Sequence, residues 1–109
     1  MAELDEAQVA ELEVRTGSDA TGATVVTVAG DLDMSNVETL RETVASITAT
    51  PPPRLVFDLS GLRFIDSAGI SVLLGAIANV EQVQLRDPSP AVRRVVELTG
   101  LTQVLELEP

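Results

Sequence analysis

Residues 64–75, FIDSAGISVLLG, set a carboxylate and a hydroxyl side by side between two apolar runs. Asp66, Ser67, Ala68 and Gly69 thus form a D-S-x-G unit, and the question is what a serine at such a break can do. Nucleophilic catalysis is the first chemistry to test. The unit has the serine and second glycine of the G-x-S-x-G nucleophile elbow, but Ile65 stands where the first glycine belongs. A serine nucleophile also needs a base, and the chain contains no His, Cys, Lys, Trp or Tyr; all seven of its basic residues are Arg. These absences remove Ser-His-Asp triads, Cys-His pairs, Schiff-base lysines and the P-loop lysine. Asp58 follows the apolar run RLVF as a phospho-accepting aspartate would, yet that chemistry also needs a lysine and an acidic metal pocket. Carboxylates are plentiful, but nothing in their spacing points to a magnesium site. Two roles stay open for Ser67: the cap of a helix, or a hydroxyl that another protein modifies.

Composition narrows the partners. A chain of 109 residues suits one domain with a two-layer core. Apolar residues make up 45% of it, with no run approaching the roughly 20 residues that span a bilayer. The N-terminal MAELDEAQVAELEV is acidic and lacks the basic and apolar regions of a signal peptide, so a soluble cytoplasmic protein is expected. Without cysteine there is no disulfide and no thiolate metal site. A net charge of -10 argues against direct nucleic-acid binding and against anionic membrane surfaces.

The elements that must hold the D-S-x-G unit read as alternating strands and helices. ELEVRT (11–16) alternates as a half-buried edge strand does, GSDATGA is a turn, and TVVTVAG (24–30) is a β-branched central strand. SNVE (35–38) matches a capping box, with Ser35 as N-cap, opening a helix whose apolar face is Val37, Leu40, Val44 and Ile47. Pro51 to Pro53 stop that helix. RLVFDLS (54–60) is a short buried strand. A second helix begins near Ser67, uses Ile70, Leu73, Leu74 and Ile77 as its stripe, and ends near Asn79. QVQLRD (82–87) is a strand. Ser89 and Pro90 then open a third helix with a stripe of Val92, Val95 and Val96 and a stop at Gly100, its adjacent Arg93 and Arg94 lying on the solvated side with Glu97 for support. VLELE (104–108) adds a last strand. The order implies an α/β fold, a mixed four- to five-stranded sheet packed by about three helices.

Three separated stretches, GDLD (30–33), LVFDLSGLRFIDSAGI (55–70) and PSPAVRRVVELTGL (88–101), together resemble the STAS domain of bacterial anti-sigma-factor antagonists. The resemblance runs from about Glu11 to Leu107, which divides the chain into an acidic N-terminal extension, 1–10, and a STAS domain, 11–109. It implies a protein that is not an enzyme and uses no cofactor. Such an antagonist binds an anti-sigma factor that is a GHKL-type serine kinase, frees the sigma factor held by it, and is switched off when that kinase phosphorylates the D-S-x-G serine. By resemblance Ser67 is the phosphosite, and Asp31, Asp33, Asp66, Ser67, Ala68 and Gly69 form the partner-binding surface. The same resemblance admits a second role, a sensory or scaffolding module that binds a nucleotide or other small ligand. Many members of the family carry a second serine at position 68; here alanine leaves Ser67 as the only hydroxyl within the motif.

Overall fold

The structure, a computed structural model, describes residues 12–100 and 106–108. Residues 1–11, which hold the acidic extension and the first residue of the first expected strand, residues 101–105, which hold the first two of the last expected strand, and residue 109 lie outside the described residues. The β-branched segments form strands β1 (Leu12–Ser18), β2 (Thr24–Leu32), β3 (Arg54–Asp58) and β5 (Gln82–Arg86), with β6 at Glu106–Glu108. Between them lie helices α1 (Val37–Thr48), α2 (Ser67–Asn79) and α3 (Pro90–Leu98). The sheet order is β1-β2-β3-β5-β6, with β1 antiparallel to β2 and the other pairs parallel. The mixed sheet and three helices match the expected architecture. A further short strand, β4 (Leu62–Ile65), was not expected; it pairs with the far end of β2.

Strand alternation sorts the sheet into two faces. Val26, Val28, Leu55, Phe57, Val83 and Leu85 point to one side and join Leu40, Leu73, Ala76, Val92 and Val96 from the helices in a single buried cluster. Each large side chain in it adds about 1.5–3 kcal/mol by leaving water. The opposite face is polar. There the Arg54 guanidinium donates to Gln84 Oε1 at 2.9 and 2.6 Å and to Thr21 Oγ1 at 2.8 Å, which satisfies the buried amide oxygen.

Helix ends follow their side-chain chemistry. The Ser89 hydroxyl accepts from the Val92 amide at 3.2 Å, Pro90 occupies the first turn, and Gly100, with φ near 80°, closes α3 as the sequence predicts. On the outer side of that helix Arg93 reaches Glu97 at 3.9 Å. Helix α2 ends at Asn79, also as predicted. Two expectations need correction. Ser35 does not cap α1: Asp33 Oδ1 accepts both its amide and its hydroxyl, at 2.9 and 2.6 Å, so the helix starts only at Val37. Leu74 is not on the buried stripe of α2; it is 49% exposed, because Gly69, Ile70, Val72, Leu73 and Ala76 define the inward face. No helix among the described residues is long and apolar enough to cross a membrane.

Candidate functional site

The D-S-x-G unit sits where β4 turns into α2, at the carboxyl ends of the parallel strands. Open α/β sheets present functional groups at this edge, because strand ends and helix starts meet there. Gly30 sets up the geometry. Strand β2 pairs with β3 over residues 24–27 and with β4 over residues 30–32, and the register shifts between Gly30 and Asp31. Gly30 adopts a φ of 101°, a conformation that L side chains rarely adopt, and its amide donates to the Gly61 carbonyl at 2.9 Å. The bulge carries Asp31 and Leu32 alongside Phe64 and Ile65. Asp31 and Asp66 are thereby brought to the same edge of the sheet.

Asp66, not Ser67, caps α2. Its backbone is extended, and Oδ1 accepts from the amides of Ala68 and Gly69 at 2.9 and 3.2 Å. Those are the second and third helical positions, the pair an N-cap side chain reaches, and aspartate caps as well as serine does. The other carboxylate oxygen accepts from the Met34 amide at 3.2 Å, and the Asp66 amide donates to the Leu32 carbonyl, also at 3.2 Å. One residue therefore fixes the helix start and ties the loop after β2 to it.

That arrangement releases Ser67 from structural duty. It is the first residue of α2, exposed, and its hydroxyl makes no hydrogen bond among the described residues. Neighbouring hydroxyls differ. Ser35 is held by Asp33 as described, and Ser60 is held by Asp58, whose Oδ1 accepts its amide at 3.0 Å and its hydroxyl at 2.8 Å. Ser71, one turn along α2, donates to the Ala68 carbonyl at 2.7 Å. With alanine at position 68, two residues after the capping aspartate, Asp66 has backbone amides to bind and no hydroxyl.

The remaining residues expected at the site divide by exposure. Asp31 and Asp33 lie in the loop and strand end joined to Asp66, Asp31 pairing with Arg63 at 3.2 Å on the surface. Ala68 is half-buried against the core. Gly69 is buried, and a Cβ there would come within 2.7 Å of both Ile65 Cγ1 and Leu32 Cδ2. Gly69 is thus the residue that lets the helix start press against the strand ends. Sequence reasoning passed over Met34, 78% exposed beside Asp33, and Phe64, 49% exposed beside Asp31. Their signal was an apolar residue within a polar turn and another in a strand too short to bury both faces. Together with Arg63 they add apolar surface and one cation to an otherwise acidic rim. Among the described residues no group of three or more His, Cys, Asp or Glu is placed to hold a metal ion.

A short β4, a bulged β2 and a helix starting at D-S-x-G define a STAS domain, and comparison with known proteins agrees. Residues 16–107 match the family described as Mlab, STAS domain, and the chain belongs to that family. Among its relatives, an anti-sigma F factor antagonist of Lysinibacillus sphaericus is 34% identical over 71% of this chain and 70% of its own. The anti-sigma-F factor antagonist RsfB of Mycobacterium tuberculosis is 29% identical over 84% of this chain and 78% of its own. A solved structure, an anti-sigma factor antagonist from Mycobacterium paratuberculosis, superposes with a TM-score of 0.82 at 31% identity, covering 90% of this chain and 86% of that one.

Proposed function

We propose that this protein is a cytoplasmic anti-sigma factor antagonist, a binding protein rather than an enzyme, whose partner is a serine-kinase anti-sigma factor of the GHKL type. Binding displaces the sigma factor that the kinase holds, and phosphorylation of Ser67 ends the interaction. The names of its relatives support the antagonist role. The observation that carries the switch is the state of the Ser67 hydroxyl: exposed, without an internal hydrogen bond, and relieved of capping by Asp66.

Charge placement explains how the switch would work. Phosphorylation adds roughly -1.5 to -2 charges and leaves them on the surface, so the fold survives. The amides of Ala68 and Gly69, which would otherwise welcome an anion at the helix start, are already taken by Asp66. A phosphate on Ser67 is therefore left to solvent while the protein is free. In the complex it must be desolvated beside the Asp66 carboxylate, which costs several kcal/mol unless an Arg of the partner meets it. A penalty of about 3–4 kcal/mol weakens binding by two to three orders of magnitude. The backbone need not move.

The test is mass spectrometry of the purified protein after incubation with ATP and each kinase-fold anti-sigma candidate from its own genome. One phosphoryl group located on Ser67, and absent from Ser67→Ala, is the expected result. A protein left unmodified by every candidate, or modified elsewhere, would remove the switch from this reading.

A further inference from the structure

The outward face of α2 continues from Ser67 through Ser71, Leu74, Gly75 and Ala78, all exposed. Two features of this face have no use within the fold. Leu74 leaves half of a large apolar side chain in water. Gly75 occupies the interior of a helix, where glycine is the poorest choice after proline. A Cβ at Gly75 would meet nothing within 4 Å, whereas at Gly69 it would collide with the core. The fold demands glycine at 69 and leaves 75 unconstrained. Glycine without an internal reason suits a place where another molecule approaches the backbone closely.

A groove lies at that position. It runs between α1 and α2, encloses about 190 Å³, and is lined by Val44, Ala45, Thr48, Ser71, Val72 and Gly75. Arg41 and Asn79 stand at its rim, and no carboxylate lines it although the chain carries a net charge of -10. The Asn79 amide donates to the Gly75 carbonyl at 2.8 Å, closing one end. Eight residues of helix separate Gly75 from Ser67, about 12 Å at 1.5 Å per residue. A stable protein interface covers about 800 Å² on each partner, a patch of roughly 16 Å radius. A partner centred on Ser67 therefore extends over the groove.

We infer that the α1–α2 groove is the apolar half of the contact with the anti-sigma factor, receiving one of that protein's apolar side chains against Gly75. The inference rests on the proposal that the anti-sigma factor reads Ser67. It divides the labour: the groove supplies affinity, and Ser67, at the other end of the same helix face, supplies the switch. Leu74 and the groove walls are the desolvated anchor such an interface requires.

Calorimetric titration with the purified kinase-fold anti-sigma protein that binds the unmodified chain tests this, using Gly75→Leu, Ala45→Leu, Gly75→Ala and Ser67→Glu. Both leucine variants fill the groove from opposite walls and are expected to weaken binding at least tenfold. Gly75→Ala, one methyl group added into open space, is expected to weaken it several-fold while raising the melting temperature, so that lost binding cannot be ascribed to lost folding. If the groove variants bind like the wild type while Ser67→Glu does not, the groove assignment falls and the switch stands. If Ser67→Glu also binds normally, or no kinase-fold protein binds the wild type, the functional reading falls and takes the groove with it. A change in self-association with unaltered anti-sigma binding would give the groove to a second copy of the chain and overturn the inference.

Discussion

Two aspartates in this molecule make nearly the same hydrogen bonds to opposite effect. Asp19, in the turn between β1 and β2, accepts the amides of Thr21 and Ala23 and the hydroxyl of Thr21, and its second oxygen meets Arg86 at 3.1 Å. Asp66 accepts the amides of Ala68, Gly69 and Met34. Each organises a turn and ties it to a distant segment. At Asp19 the nearby hydroxyl and cation are drawn in, and the turn is closed chemistry. At Asp66 the adjacent hydroxyl stays outside. The same capping device builds a structural corner in one place and leaves a hydroxyl outside it in the other, the difference being whether a hydroxyl stands two residues after the aspartate or one.

The comparison breaks most readily at Gly69, on which the closeness of the Asp66 corner to the strand ends depends. Gly69→Ala forces a methyl group against Ile65 and Leu32 and is expected to lower stability by about 1–3 kcal/mol, read from urea unfolding midpoints. An unchanged midpoint would mean that the helix start is looser than its packing implies. Asp66→Ala comes next. It removes an N-cap and the tie to Met34, and is expected to reduce stability by about 0.5–2 kcal/mol, with faster hydrogen exchange at the amides of Met34, Ala68 and Gly69. Asp66→Asn, which keeps an acceptor oxygen, is expected to lose less.

The Asp19 corner is distinguished by its response to pH. The hydrogen bond from the Thr21 hydroxyl, then the Arg86 guanidinium, hold its carboxyl well below the ordinary carboxylate range. A depressed folded-state pKa favours folding in full at every pH above the ordinary value; that contribution declines as the pH falls below it and is gone only once the pH has passed the depressed folded-state value. The stability gap between the wild type and Asp19→Asn is therefore expected to be constant from about pH 7 to 5 and to narrow below about pH 4. Parallel unfolding curves across that range check it. A gap that persists undiminished to about pH 2 would show that the charge of Asp19 contributes nothing.

Much of this was legible in the sequence where the signal is local. Pro51 to Pro53, the Ser89-Pro90 pair and Gly100 punctuate helices wherever they occur, and the β-branched runs at 24–30 and 54–58 carry their own strand preference. Strand β4 was hidden because Leu62–Ile65 is only four residues long, is interrupted by Arg63 and lies between Gly61 and Asp66, and only the left-handed Gly30 makes room for it beside β2. The cap of α2 stays open in the sequence for the same reason that Ser35 looks like the cap of α1. Where aspartate and serine stand close together, either can cap, and the choice depends on which backbone amides the fold brings within reach. Asp66 was settled by long-range contacts with Leu32 and Met34 that no window of sequence contains. The Arg54–Gln84 pair, thirty residues apart, was invisible for that reason too.

The smallest expected effect is the most discriminating. Ser60→Ala removes a hydroxyl that Asp58 accepts at 2.8 Å, and a net hydrogen bond to a charged acceptor at an exposed turn is worth about 1 kcal/mol. Ser67→Ala removes a hydroxyl with no partner among the described residues, at a helix position where alanine is favoured, so its stability should stay within about 0.5 kcal/mol of the wild type. Matched unfolding curves of the two variants measure the difference directly. Were Ser67→Ala as costly as Ser60→Ala, the hydroxyl would be doing structural work, and its exposure would no longer argue for modification. With a neutral Ser67→Ala, folding gives no account of the serine, which is the condition that the proposed modification by a second protein requires.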